Sequence, residues 1–85
     1  MELKDTIEMM TSQNYKERFR AEYFQLEIRY KKLRDIVKKI DEGTLMFKVT
    51  CPRSVLDRQI LAMFDYLNVL RYRAELEGVD LSVED

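Results

Sequence analysis

The residues best equipped for chemistry in this 85-residue chain are arginines and tyrosines set close together. Arg29-Tyr30 sits inside the run RYKKLR, Arg29 to Arg34, and Arg71-Tyr72-Arg73 sits late in the chain. An arginine fork matches phosphate oxygens, and an aromatic ring offers a face on which a base can stack. Arg18 joins them by topology, because an antiparallel arrangement of two helices brings the late second helix beside the early first one. Arg29, Tyr30, Arg71, Tyr72, Arg73 and Arg18 are therefore the candidate ligand contacts. The structural alternative is that these arginines only serve i,i+4 pairs such as Arg18–Glu22 and Arg71–Glu75. Other chemistries have less to work with. The chain has no His, so the usual proton shuttle near neutral pH is absent. Cys51 is the sole cysteine and has no His to activate it. No glycine-rich phosphate loop and no metal-ligand spacing occurs. The expectation is a binding protein without catalysis, without cofactor and without metal.

These side chains have to be held by helices. Apolar residues make up 46% and charged residues 36% of the chain, with two Gly and one Pro, a balance that favours a folded all-α protein over disorder or a sheet. Phe19, Tyr23, Leu26, Tyr30, Leu33, Val37 and Ile40 are spaced 4, 3, 4, 3, 4, 3, which is a heptad seam. Leu56, Ile60, Met63, Leu67, Leu70 and Ala74 repeat that spacing. Thr11 and Ser12 are the expected N-cap of the first helix and Gly43 its stop. Pro52 is expected to open the second helix, with Ser54-x-x-Asp57 as a nearby capping box and Gly78 as the stop.

The resulting architecture is a single domain, a long antiparallel helical hairpin. Residues 1–11 form an N-terminal arm, short helix or mobile. Residues 12–42 form helix one, 43–51 an ordered extended loop, 52–78 helix two and 79–85 an acidic tail. The loop's Leu45 and Phe47 are expected to drop onto the hairpin. Apolar residues also lie off both seams: Ala21, Phe24 and Ile28 on the first helix, Ala62, Tyr66, Val69 and Leu76 on the second. A two-helix hairpin of this size cannot bury both sets, so the expectation is a homo-oligomeric bundle with these residues at its interface. The alternative is that Phe24 and Ile28 pack on Met9, Met10 and Phe47 of the same chain.

Charge refines the choice of partner. Net charge is −1. Between Tyr15 and Ile40, nine Lys and Arg stand against four Asp and Glu, and Lys16, Arg20, Lys31, Arg34 and Lys38 fall within about a 60° sector of a helix. The stretch Gly78 to Asp85 carries three acids and no base. The overall balance disfavours duplex DNA, and no apolar run is long enough to span a membrane. The acidic, short N-terminus is unlike a leader peptide, so a cytoplasmic protein is expected.

The pattern YKERFRAEYFQLEIRYKKL…GTL…CP…LDRQILAMFDYLNVLRYRAELEGVDL, Tyr15 to Leu81, resembles a family of small proteins of crAss-like and related phages. More distantly, Arg29, Cys51-Pro52-x-Ser54 and Arg71 or Arg73 look like the helical hairpin of phage anti-CBASS and anti-Thoeris sponge proteins. That resemblance implies action in the cytoplasm of an infected bacterial host, as a counter-defence protein. It would sequester a cyclic oligonucleotide or a cyclic ADP-ribose isomer at subunit interfaces lined by aromatic and basic residues. Alternatives are a protein–protein inhibitor of a bacterial defence effector, of the anti-CRISPR type, and a structural phage accessory protein.

Overall fold

In the computed structural model, which describes residues 1–83, a single-turn 3₁₀ segment, Leu3–Thr6, runs straight into the short helix α1, Ile7–Met10. Two long helices follow, α2, Tyr15–Glu42, and α3, Arg53–Glu77. No strand occurs among the described residues. The acidic end of the tail, Glu84 and Asp85, lies outside them. The molecule measures 42 × 24 × 21 Å, its long axis matching the length of the 28-residue α2.

The helix ends are set by local chemistry. α2 starts two residues later than Ser12 would have placed it. Asn14 is the N-cap, its side chain accepting from the Lys16 amide at 2.9 Å. Thr11 is already engaged, its hydroxyl donating back to the Ile7 and Glu8 carbonyls at the end of α1. Ser12 instead accepts from the Asn14 amide. At the far end Gly43 takes the left-handed conformation, φ 71°. The Thr44 amide then reaches the Lys39 carbonyl and the Gly43 amide that of Ile40, a Schellman closure. Pro52 is the N-cap of α3 rather than its first turn, and its carbonyl receives the Val55 and Leu56 amides. The Ser54/Asp57 capping box does not form: the helix begins at Arg53, so Ser54 is already inside the first turn, and Asp57 pairs with Arg53.

α2 and α3 pack along their matched seams, as the spacing predicted. Phe19, Tyr23, Leu67, Leu70 and Ala74 form the centre of the core, and Leu26 and Tyr30 extend it. Val37 and Leu56 are buried nearer the loop. Phe24 is also in this core, at 2% exposure, and Ala21 is at 1%. Their off-seam positions predict a subunit interface, but both are covered by their own chain instead. The arm is an ordered layer on the back of α2, where Met9 packs on the core. The tail returns Val79 and Leu81 to the same cluster. The buried Thr6 pins the arm: its hydroxyl donates to the Leu3 carbonyl at 2.7 Å and accepts from the Gln25 amide at 3.0 Å. Ile28 is only half-buried. The loop departs from expectation in the other direction. Leu45 is half-buried, but Phe47 remains 60% exposed and Met46 points fully into solvent.

α2 is thus the middle layer, with the arm and tail behind it and α3 in front. α3 is an outer layer, covered on one face only.

Candidate ligand-binding surface

The arginines of the Arg71-Tyr72-Arg73 triplet do not converge. Two residues apart on a helix is about 200°, so the two guanidinium groups leave α3 toward opposite flanks. Arg71 turns to Tyr23, whose hydroxyl accepts from Nε at 3.1 Å, and lies 5.8 Å over the ring. It also donates to Asn68 and stands 3.9 Å from the Glu27 carboxylate. The Tyr23 hydroxyl in turn donates to Glu27 at 2.8 Å. Burial, more than any neighbour, raises the Tyr23 pKa above the usual phenol value. On the other flank Arg73 covers the Phe19 ring at 4.9 Å and donates to Glu77 and to the Tyr15 hydroxyl. The Tyr15 hydroxyl donates to Glu77 at 2.6 Å. That hydrogen bond, followed by those from Arg73, holds the Glu77 carboxyl below its usual range. Tyr72 stands exposed between the two arginines.

The single pocket expected from Arg18, Arg71, Tyr72 and Arg73 is therefore not assembled within one chain. Arg18 is occupied by the Ser12 carbonyl at 2.8 Å. These arginines act mainly as internal struts: Arg73 makes an i,i+4 pair with Glu77, while Arg71 and Arg18 use Tyr, Asn, Glu27 and backbone partners instead of the expected Glu75 and Glu22. Arg29 and Tyr30 are neighbours in sequence but not in direction. Arg29 is exposed, whereas Tyr30 is half-buried against Phe64, the ring centroids 6.3 Å apart.

The space a ligand could occupy lies instead at the loop end of the hairpin. A hollow of about 660 Å³ opens between α2 and α3, with Val37 and Ile60 as its apolar floor. Lys31, Arg34 and Lys38 line it from α2 and Arg53 from α3. Its volume falls within the range of small-molecule sites. Spacing explains the cationic rim, since 31, 34 and 38 are successive i,i+3 and i,i+4 neighbours on one helix face. Carboxylates temper it. Arg53 makes a two-pronged contact with Asp41 at 3.1 and 3.0 Å and a further one with Asp57. The bonds from Arg53 hold the Asp41 carboxyl below the usual carboxylate range. Lys31 reaches Glu27 at 3.5 Å and Lys38 reaches Glu42 at 3.9 Å. Arg34 differs from these three. Among the described residues it has no carboxylate partner, and it lies 5.4 Å over the Tyr30 ring. A smaller hollow of about 310 Å³ lies under the loop, lined by Ile40, Leu45, Phe47, Val49 and Lys39.

Lys31, Arg34 and Lys38 belong to the basic sector visible in the sequence. What singles out Arg34, the absence of a carboxylate within reach, depends on the register between helices. Arg53 was not indicated by any motif. Its role follows from the hairpin bringing the start of α3 against the end of α2. No group of three or more His, Cys, Asp or Glu among the described residues is placed to hold a metal ion. Among the described residues no helix is long and apolar enough to cross a membrane.

Fold and surface together define a small all-helical protein, a hairpin with a backing arm and a mixed-charge groove at its loop end. The chain belongs to the Sequestin family, whose model matches residues 5–76. The matched stretch takes in the arm from Asp5, α2, the loop and all of α3 but its last residue. Comparison with the curated proteins and with the solved structures gives no match.

Proposed function

We propose that this protein is a stoichiometric binder that sequesters a nucleotide immune signal, of the cyclic oligonucleotide or cyclic ADP-ribose type, without altering it. It would do so as a phage counter-defence protein, in the cytoplasm of an infected bacterium, and as a homo-oligomer. Membership of the Sequestin family, by its name, supports the sequestering part of this reading.

The observation that carries the ligand class is Arg34 on Tyr30 at the rim of the loop-end hollow. A guanidinium placed over an aromatic face keeps N–H groups free for phosphate oxygens. Lys31 and Lys38 flank it, and both hold their own carboxylates at distances beyond a tight ion pair, so they can turn to an anion at small cost. Phosphate would bind this rim, and the apolar floor of Val37 and Ile60 would take the ribose or base. Arg29 and Tyr72, both exposed, and Arg18, Arg71 and Arg73 after exchange of their present partners, are further candidate contacts.

Calorimetric titration with a panel of cyclic dinucleotides, cyclic trinucleotides and cyclic ADP-ribose isomers tests the proposal. Micromolar or tighter binding of one member is expected, weakened at least about tenfold by Arg34→Ala, in line with loss of a charge-assisted bond. Helicity should be unchanged, because Arg34 is exposed. No heat with any member of the panel would sink the reading.

A further inference from the structure

α3 is apolar on two opposite faces, and its chain covers only one. The outer face carries a second heptad stripe: Arg58, Ala62, Asp65, Val69, Tyr72 and Leu76, spaced 4, 3, 4, 3, 4. With Leu61 beside it, this stripe spans about 100° of the helix, opposite the Leu67/Leu70 seam. Leu61 is 65% exposed, Val69 56%, Tyr72 63% and Leu76 70%. Together they make an apolar strip on the order of a few hundred Å², the size at which exposed surface marks an interaction site.

We infer that this face pairs with the same face of a second copy, antiparallel, about a two-fold axis between Leu61 and Ala62. The charges in the stripe choose the occupant. Arg58 and Asp65 are the two charged residues of the stripe, they are opposite in sign, and neither takes part in an ion pair among the described residues. Seven residues apart, they are about 10 Å from each other along the axis. A two-fold axis midway between them sets Arg58 of each copy opposite Asp65 of the other, making two equivalent ion pairs. The stripe is thereby complementary to itself, the signature of an isologous interface. Leu61 and Ala62 then meet at the centre. Val55 falls near Asn68 and Val69 of the other copy, whose Tyr72 and Leu76 fall opposite Cys51 and Phe47, in the loop just ahead of α3.

This pairing deepens the homo-oligomeric part of the proposed function and is independent of the ligand. It also replaces the subunit interface expected on α2: Ala21 and Phe24 are already buried, while Ala62, Val69 and Leu76 remain free.

Sedimentation equilibrium on the full chain tests it by charge reversal. The unmodified protein is expected to be a dimer at micromolar concentration. Arg58→Asp and Asp65→Arg, each placing two like-charge pairs in the interface, should each raise the dissociation constant at least about tenfold. The double variant Arg58→Asp/Asp65→Arg restores both pairs and should recover the dimer. Leu61→Glu, with two carboxylates at the axis, should be monomeric. Circular dichroism confirms that each variant is folded. A monomeric unmodified protein, single variants that dimerise as tightly as it does, or a double variant no tighter than the singles, each overturns the pairing. Nucleotide titration of the same samples reads the ligand proposal separately.

Discussion

Replacing Phe24 by Ala discriminates between the two places this side chain could have had. In the structure it is a core residue, fully buried between α2, the arm and the tail, stacked edge-on to Tyr23 at 5.5 Å and covered by Arg20. Removing a buried phenyl ring costs about 3–5 kcal/mol, transfer and cavity terms together. A chain of 85 residues has a total stability of about 4–13 kcal/mol. The substitution therefore removes a large share of it. At roughly 4–8 °C per kcal/mol for a domain of this size, the melting temperature should fall by about 12–40 °C. Urea unfolding followed at 222 nm is the assay, run at two protein concentrations tenfold apart so that dissociation is separated from unfolding. A surface contact would behave differently. A loss of stability under about 1 kcal/mol, with a changed oligomeric state and an otherwise intact fold, would refute the assignment of Phe24 to the core.

Further outcomes follow from the caps, the arm and the ionised pairs. Thr6→Val keeps the shape but strips the Gln25 amide and the Leu3 carbonyl of their shared partner. It should cost about 1–3 kcal/mol and raise hydrogen exchange across residues 3–10 before any effect on α3. Gly78→Ala should cost about 1–2 kcal/mol from backbone strain alone. Its φ is 68°, and a Cβ there would meet only the Lys16 ammonium at an ordinary 3.8 Å. Asp41 and Glu77 have folded pKa values below their usual ones, Asp41 through Arg53 and Glu77 through Tyr15 and then Arg73. Their contribution to stability is complete above the unfolded carboxylate values and is lost as pH falls through the folded ones. The melting temperature should therefore drop from about pH 4 downward. Carbon-detected NMR titration of Arg53→Ala should show the Asp41 carboxyl returning toward its ordinary range.

Much of the fold was written in the sequence, because a strict 4, 3 spacing permits little else. Both seams and both glycine stops appear where the pattern put them. The start of α2 was misplaced by two residues because Thr11, a good cap by type, is consumed by α1, a helix too short to announce itself. Phe24 illustrates the main gap. Its position off the seam was legible, but its cover comes from the arm and from Val79 and Leu81 of the tail. The arm's Met9 was available as cover in the alternative reading, but neither segment has periodicity strong enough to choose between it and a subunit interface. The candidate site was harder still. Arg71 and Arg73 look like a pair in one dimension and are separated by the helix in three. Arg34 gains its distinction only from the carboxylates it fails to meet, which depends on the register of the hairpin. Arg58 and Asp65 were invisible as a pair until α3 proved to be the outermost layer.

A sequestering protein, as proposed, holds its nucleotide signal and returns it unchanged. Equilibrium dialysis against the tightest ligand of the panel, followed by heat denaturation and mass spectrometry of what is released, measures this directly. Sequestration predicts saturable uptake at a fixed ratio per chain or per dimer, with the intact cyclic nucleotide recovered quantitatively. Release of a linearised or hydrolysed product, or no retention of any nucleotide across the membrane, would contradict it.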